Sequence, residues 1–219
     1  AFLFSLAFTY DFTPEVLGIL LSASIIVTIG LFDDLKVLSP GVKLLGQIVA
    51  AFVLVKAGIM IRLTFLPEPV AFALTMLWLV GMTNAINLID ISDGLAAGVA
   101  SIAGGFLYII ALYNGSSTIA MLTALAPVII LGVPLFDTVF VMGARAARRI
   151  PLMRGSPDHF AVRLRSHGAS PLRIALLSYG ASGLLGGAAL LLCFLPVAQA
   201  VWVLGGVVLA AFGCMLGLW

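Results

Sequence analysis

The sequence predicts an all-α fold, a polytopic bundle of transmembrane helices, and three observations predict it. Apolar residues make up 63% of the 219 positions, charged residues only 9%, and the mean hydropathy is +1.24. Soluble domains carry about 25% charged residues, so this composition excludes a water-facing surface. The apolar residues come in runs of about 20, the length that crosses a hydrocarbon core. These runs do not alternate, which excludes a membrane barrel. Backbone groups in lipid must be satisfied within the segment, which makes each run a helix. The net charge is only +2, and nucleic acid is not an expected partner.

Turn residues and charges divide the chain in order. Residues 1–9, AFLFSLAFT, lack a basic leader and an initiating Met, so they do not read as a cleavable signal. They read as the partial end of a span whose beginning is missing. About seven complete spans are expected after it, at about 14–32, 43–60, 69–88, 95–113, 117–143, 171–195 and 198–219. Between them lie FDDLKVLSPG, RLTFLPEP, NLIDISDG, YNGSS, the long segment 144–170, and PVAQ. No repeat or low-complexity linker interrupts this pattern, so residues 1–219 are expected to form a single integral-membrane domain. Cys193 and Cys214 sit inside apolar runs and read as packed thiols.

Lys and Arg set the orientation. Strict alternation puts nine of them on one side (Lys36, Lys43, Arg145, Arg148, Arg149, Arg154, Arg163, Arg165 and Arg173) and only Lys56 and Arg62 on the other. The positive-inside rule makes the richer side cytoplasmic. Asp33, Asp34, Asp90, Asp93, Asp137 and Asp158 fall on that same face, while Asp11, Glu15 and Glu68 fall opposite.

Three constellations on the cytoplasmic face carry chemistry. Asp33 and Asp34 are adjacent at the end of a helix, where two like charges at a membrane boundary call for a cation. Mg²⁺ suits them, since it takes oxygen ligands and binds through one or two carboxylates plus substrate phosphates; Mn²⁺ is an acceptable substitute. A solvated helix end is the bland alternative. In NAINLIDISDG, Asn84, Asn87 and Asp90 recur every three residues and share a helical face. Asp93 and Gly94 follow where that helix stops. An interhelical hydrogen-bond cluster is the structural alternative here. In segment 144–170, His159 and Arg163 lie one turn apart and suit phosphate oxygens, whereas Asp158 suits the N-cap of a short surface helix. Asp137 lies in or near an apolar run. It reads either as functional or as a structural partner for a Thr or a backbone group freed by Pro134.

With those residues in view, the chain resembles the polyprenyl-phosphate N-acetylhexosamine-1-phosphate transferases. GLFDDLKVLSPGVKLLGQ at 30–47 is similar to the family's double-aspartate motif, TNAINLIDISDGLAAG at 83–98 to its NAxNLIDGxDGLAAG signature, and GVPLFDT at 132–138 to its PxxDT element. The resemblance implies transfer of N-acetylhexosamine 1-phosphate, most simply GlcNAc-1-phosphate, from a UDP-sugar to a polyprenyl phosphate such as undecaprenyl phosphate. UMP is released and a lipid-linked glycan begins. It implies Asp33, Asp34, Asp90 and Asp93 as catalytic residues, with Asp33 and Asp34 also holding the metal. Lys36, Lys43, Asn84, Asn87, His159 and Arg163 become substrate contacts. Implied partners are the UDP-N-acetylhexosamine, the lipid phosphate and the bilayer of a bacterial cytoplasmic membrane, with homodimerisation left open.

The sequence departs from the family in three places. No basic, His-, Pro- and Gly-rich loop precedes Gly30. The HxHH run is reduced to His159-Phe160-Ala161-Val162, and no acidic residue lies between Gly94 and Phe136, where the family carries a Gly-Asp-Ser/Thr-Gly-Ser loop. These departures favour an incomplete chain or a non-catalytic protein that keeps the nucleotide-sugar face. A transporter with intramembrane acids is a third reading, disfavoured because the acids gather at helix ends.

Overall fold

The computed structural model describes residues 13–35, 38–63, 65–90, 94–112, 126–149 and 159–218, without the side chains of Asp34 and Ala111. The described residues form helices α1 (Pro14–Asp34), α2 (Pro40–Lys56), α3 (Glu68–Ile89), α4 (Leu95–Leu112), α5 (Ala126–Ile130), α6 (Gly132–Ala147), α7 (Phe160–Ser166), α8 (Pro171–Leu192) and α9 (Val197–Leu218). The chain is a polytopic α-helical membrane protein, and no strand occurs among the described residues. α1, α3, α8 and α9 are each long and apolar enough to cross a membrane, and Leu95–Ile110 is a shorter apolar helix.

Three helices start in the same way. Thr13, Ser39 and Ser170 are N-caps whose side chains accept the N–H of Val16, Val42 and Arg173, and a Pro follows each. Proline at the first helical position loses no bond, because that N–H has no intrahelical partner. α2 ends on Gly58 and α7 on Gly168, both with positive φ. In each, the N–H after the glycine reaches back five residues, Ile59 to Leu54 and Ala169 to Leu164, which satisfies a carbonyl at the helix end.

The contacts fall into two compact units, Ala1–Asn84 and Ala85–Trp219. In the first, α1 packs along α2. The approach is close because a Cβ on Gly18 would strike Ala57, and one on Gly46 would strike Ile29. In the second, α8 packs against α4, α5, α6, α7 and α9. Its buried face is Ile174, Ser178, Ser182, Gly186, Ala189 and Leu192, mostly small residues, as expected where lipid offers helices no hydrophobic drive to associate and close van der Waals packing holds them. The outward side chains are the large ones: Leu184 is 78% exposed and Trp202 82%. Apolar residues outside and small or polar ones inside invert the pattern of a water-soluble protein.

One expected element differs. The span expected at 117–143 is, in its described part, two helices: the five-residue α5 ends at Ile130, and α6 starts at Gly132. Pro134 explains the break, since its ring is tolerated in a first helical turn but not inside a continuous helix. Residues 1–9, the expected partial span, lie outside the described residues.

Candidate active site

The double-aspartate motif ends α1. Asp33 Oδ2 accepts a hydrogen bond from Lys43 Nζ at 2.5 Å, with the two side chains 31% and 19% exposed. Each charge opposes its own helix: a carboxylate is unfavourable at the C-terminus of α1, and an ammonium is unfavourable in the first turn of α2. The pair offsets both penalties. One turn further along α2, Gln47 is buried and exchanges amide hydrogen bonds with Asn84 of α3. Asn84 Nδ2 donates to Gln47 Oε1 at 2.7 Å, and Gln47 Nε2 donates to Asn84 Oδ1 at 3.3 Å. Asn84 Nδ2 also reaches Val80 O at 2.9 Å. Residues four apart share a helix face, so α2 touches the aspartate motif with Lys43 and the NAINLID motif with Gln47. Asn84 therefore serves as an interhelical tie. Gln47 was not singled out from sequence, although a lone amide inside GQIVAA was the available signal.

The second unit assembles the other elements. Asn87 and Asp90 are exposed at the end of α3. Ile86 and Ile89, interleaved with them, pack into one cluster with Val133 and Phe136 of α6, Phe160 and Ala161 of α7, and Ile174 of α8. The end of NLID, PLFDT and the His159 helix thus share a core. Asp93 lies outside the described residues, but the backbone just after it is held: Tyr179 Oη of α8 donates to Gly94 O at 2.8 Å. Gly94 has φ +78, a left-handed conformation that glycine adopts without a steric penalty. Tyr179 is a second residue that sequence reasoning missed, because an aromatic in an apolar helix carries no distinguishing pattern.

Asp137 is fully buried at 0% exposure. Its Oδ2 lies 2.7 Å from His159 Nδ1, and its Oδ1 accepts the Phe160 N–H at 2.9 Å. The N-cap of α7 is His159, which makes no side-chain capping bond; the carboxylate that caps this helix comes from α6 instead. Asp158, the expected cap, lies outside the described residues. Thr138 Oγ1 donates to Pro134 O rather than to Asp137. Arg163 stands over the Phe140 ring, 4.9 Å from its centroid, and Nη1 donates to Leu218 O at 2.7 Å. Phe136 stacks on Phe140 at 5.9 Å and meets Phe160 edge-on at 6.4 Å.

Lys36 and the side chain of Asp34 lie outside what is described. No group of three His, Cys, Asp or Glu able to hold a metal occurs among the described residues. Asp33 and Asp34, carboxylates adjacent in sequence, are the donor type that Mg²⁺ takes where it binds through one or two carboxylates plus phosphate oxygens. They do not fit a cage built by protein alone. A cavity of about 460 Å³ lined by Phe52, Val55, Lys56, Arg62, Glu68 and Phe72 lies at the end of α2 away from Lys43, so it is not part of this carboxylate site.

Comparisons with known proteins agree with the motif positions. The description "Glycosyl transferase family 4" matches residues 16–142, more than half of the chain. The chain is 31% identical over 220 residues to a probable undecaprenyl-phosphate N-acetylglucosaminyl 1-phosphate transferase of Bacillus subtilis (strain 168), covering 74% of this chain and 62% of that protein. It is 36% and 35% identical over 92 residues to decaprenyl-phosphate N-acetylglucosaminephosphotransferases of Mycobacterium leprae (strain TN) and Mycobacterium tuberculosis (strain CDC 1551 / Oshkosh), covering 37% of this chain and 23% of each. It therefore spans less than two thirds of the length of these relatives. No solved structure matches it. The double-aspartate, NAINLID and PLFDT elements all lie inside the matched segment, and the chain belongs to glycosyl transferase family 4.

Proposed function

We propose that this chain transfers GlcNAc 1-phosphate from UDP-GlcNAc to a polyprenyl phosphate on the cytoplasmic face of a bacterial membrane. The observation that carries this reading is the Asp33–Lys43 pair, set beside Asp34 at the end of a membrane span within the family-matched segment. A phosphate oxygen of the lipid attacks the sugar-bearing phosphorus, a new P–O bond forms, and the bond to the bridging oxygen breaks. UMP departs with that oxygen, and the lipid keeps a diphosphate sugar. Reactions of this kind need positioning and neutralisation of spread charge more than covalent chemistry.

Asp33 and Asp34 would hold Mg²⁺, or Mn²⁺ in its place. The bound cation supplies neutralisation of the phosphates' negative charge. Lys43 keeps Asp33 oriented and adds positive charge beside it. Lys36 adds a second ammonium near the lipid phosphate. Asn87, Asp90 and Asp93 bind the nucleotide sugar where α3 stops, and His159 and Arg163 bound the same region from α7. The nine-to-two distribution of Lys and Arg supports a cytoplasmic placement of all these groups.

The test is UMP formation by detergent-solubilised protein given undecaprenyl phosphate, UDP-GlcNAc and Mg²⁺. UMP is expected, chelation with EDTA is expected to abolish it, and Asp33→Asn is expected to lower it roughly 100-fold, as removal of one transition-state charge contact does elsewhere. The absence of any acid between Gly94 and Phe136 favours a second reading, a protein that binds the nucleotide sugar without turning it over. Calorimetric binding of UDP-GlcNAc with no UMP would establish that reading and exclude the first.

A further inference from the structure

We propose that Asp137 is the positioning residue of His159: one carboxylate oxygen turns the imidazole so that Nε2 meets the nucleotide sugar, while the other caps the helix that carries it. This deepens the reading above and rests on it for the identity of the ligand. The two residues are 22 positions apart, on α6 and at the start of α7, so chain proximity does not bring them together. Asp137 is fully buried and the His159 side chain is 8% exposed. A carboxylate in apolar surroundings is costly unless its oxygens are bonded, and here both are: Oδ2 to the ring and Oδ1 to the Phe160 N–H. With the carboxylate accepting at both oxygens, as the Phe160 N–H requires of Oδ1, the proton of the shared bond lies on Nδ1, and this is the tautomer the proposal requires. Nε2 makes no hydrogen bond among the described residues and is the nitrogen left for a ligand.

Asn separates the two duties of Asp137. Its amide oxygen still accepts the Phe160 N–H and keeps the cap, but its NH₂ group donates to the ring. Nδ1 must then give up its proton, and the proton moves to Nε2. Asp137→Asn thus preserves the helix and reverses the imidazole, whereas Asp137→Ala removes both functions at once.

The chain has only two histidines, so ¹⁵N NMR of histidine-labelled protein in detergent, with His167→Gln for assignment, reads the ring directly. Wild type is expected to carry a proton on Nδ1, and Asp137→Asn to lack it while keeping the helix content seen by circular dichroism. UMP formation is expected to fall about 10- to 100-fold in Asp137→Asn, by analogy with the loss of a carboxylate that orients a metal-ligating histidine. The double variant with His159→Gln should be no worse than His159→Gln alone. A bare Nδ1 in wild type, an unchanged ring in Asp137→Asn, or full turnover by that variant would overturn the assignment. Wild-type protein that forms no UMP overturns the proposed reaction instead, and the ring measurement then decides this inference by itself.

Discussion

The residues that shape this site are polar groups with unusual company. Asn84 shares two amide hydrogen bonds with the buried Gln47, so removing one amide leaves the buried other without its partner. Asn84→Leu should therefore cost about 1–3 kcal/mol, the penalty of leaving a buried amide unsatisfied, while Gln47→Leu combined with it should recover part of that loss. Denaturant titration of the single and double variants in detergent measures this coupling. Arg149 follows the end of α6 with φ 55, where a non-glycine residue is strained by about 1 kcal/mol or more. Arg149→Gly is expected to stabilise the protein by about that amount in the same titration. At this scale the sequence exposed anomalies but not their partners. Asp137 stood out as an acid among apolar residues, yet the two partners its structural reading offered, a Thr or a backbone group freed by Pro134, lay within its own segment. The observed partners, the His159 ring and the Phe160 N–H, lie across a segment whose path no periodicity predicts.

Elements were legible to the extent that their ends carry chemical signals. Thr13-Pro14 and Ser170-Pro171 mark starts that the sequence places correctly. Ser39-Pro40 is the same signal, and α2 indeed begins there rather than at the expected 43. Gly58 likewise ends α2 earlier than the expected 60. The break at Leu131 was hidden because GVPLFDT continues an apolar run, and hydropathy alone does not register a proline's effect on a helix. Packing between elements was not legible: glycines recur throughout these helices, and only their positions opposite a bulky partner give them a role. Gly98 lies against the ring of Tyr179, the residue that holds Gly94, and Gly186 lies against Phe106. Gly98→Leu is expected to lower stability by about 1–3 kcal/mol through overpacking. Gly187→Ala, with nothing near its position, should change thermal stability little. Thermal melts of the two variants in one detergent compare them directly.

At the scale of the whole molecule, composition determined the class, and the charge count determines the expected sidedness. Arg62 and Arg165 are both exposed and fall on opposite sides by chain alternation. In a background with Cys193 and Cys214 replaced by Ala, Arg62→Cys should react with a membrane-impermeant maleimide in intact cells, and Arg165→Cys only after permeabilisation. The reverse labelling would move the carboxylate face out of the cytoplasm and away from nucleotide sugars. The central claim, transfer of a phosphorylated sugar to a lipid phosphate, is tested most directly by following one phosphorus atom. UDP-GlcNAc labelled with ³²P at the sugar-linked phosphate, incubated with the protein, Mg²⁺ and undecaprenyl phosphate, should yield label in the organic-extractable lipid and unlabelled UMP in water. Label that remains wholly in the aqueous phase, as UDP or as unreacted donor, would contradict it.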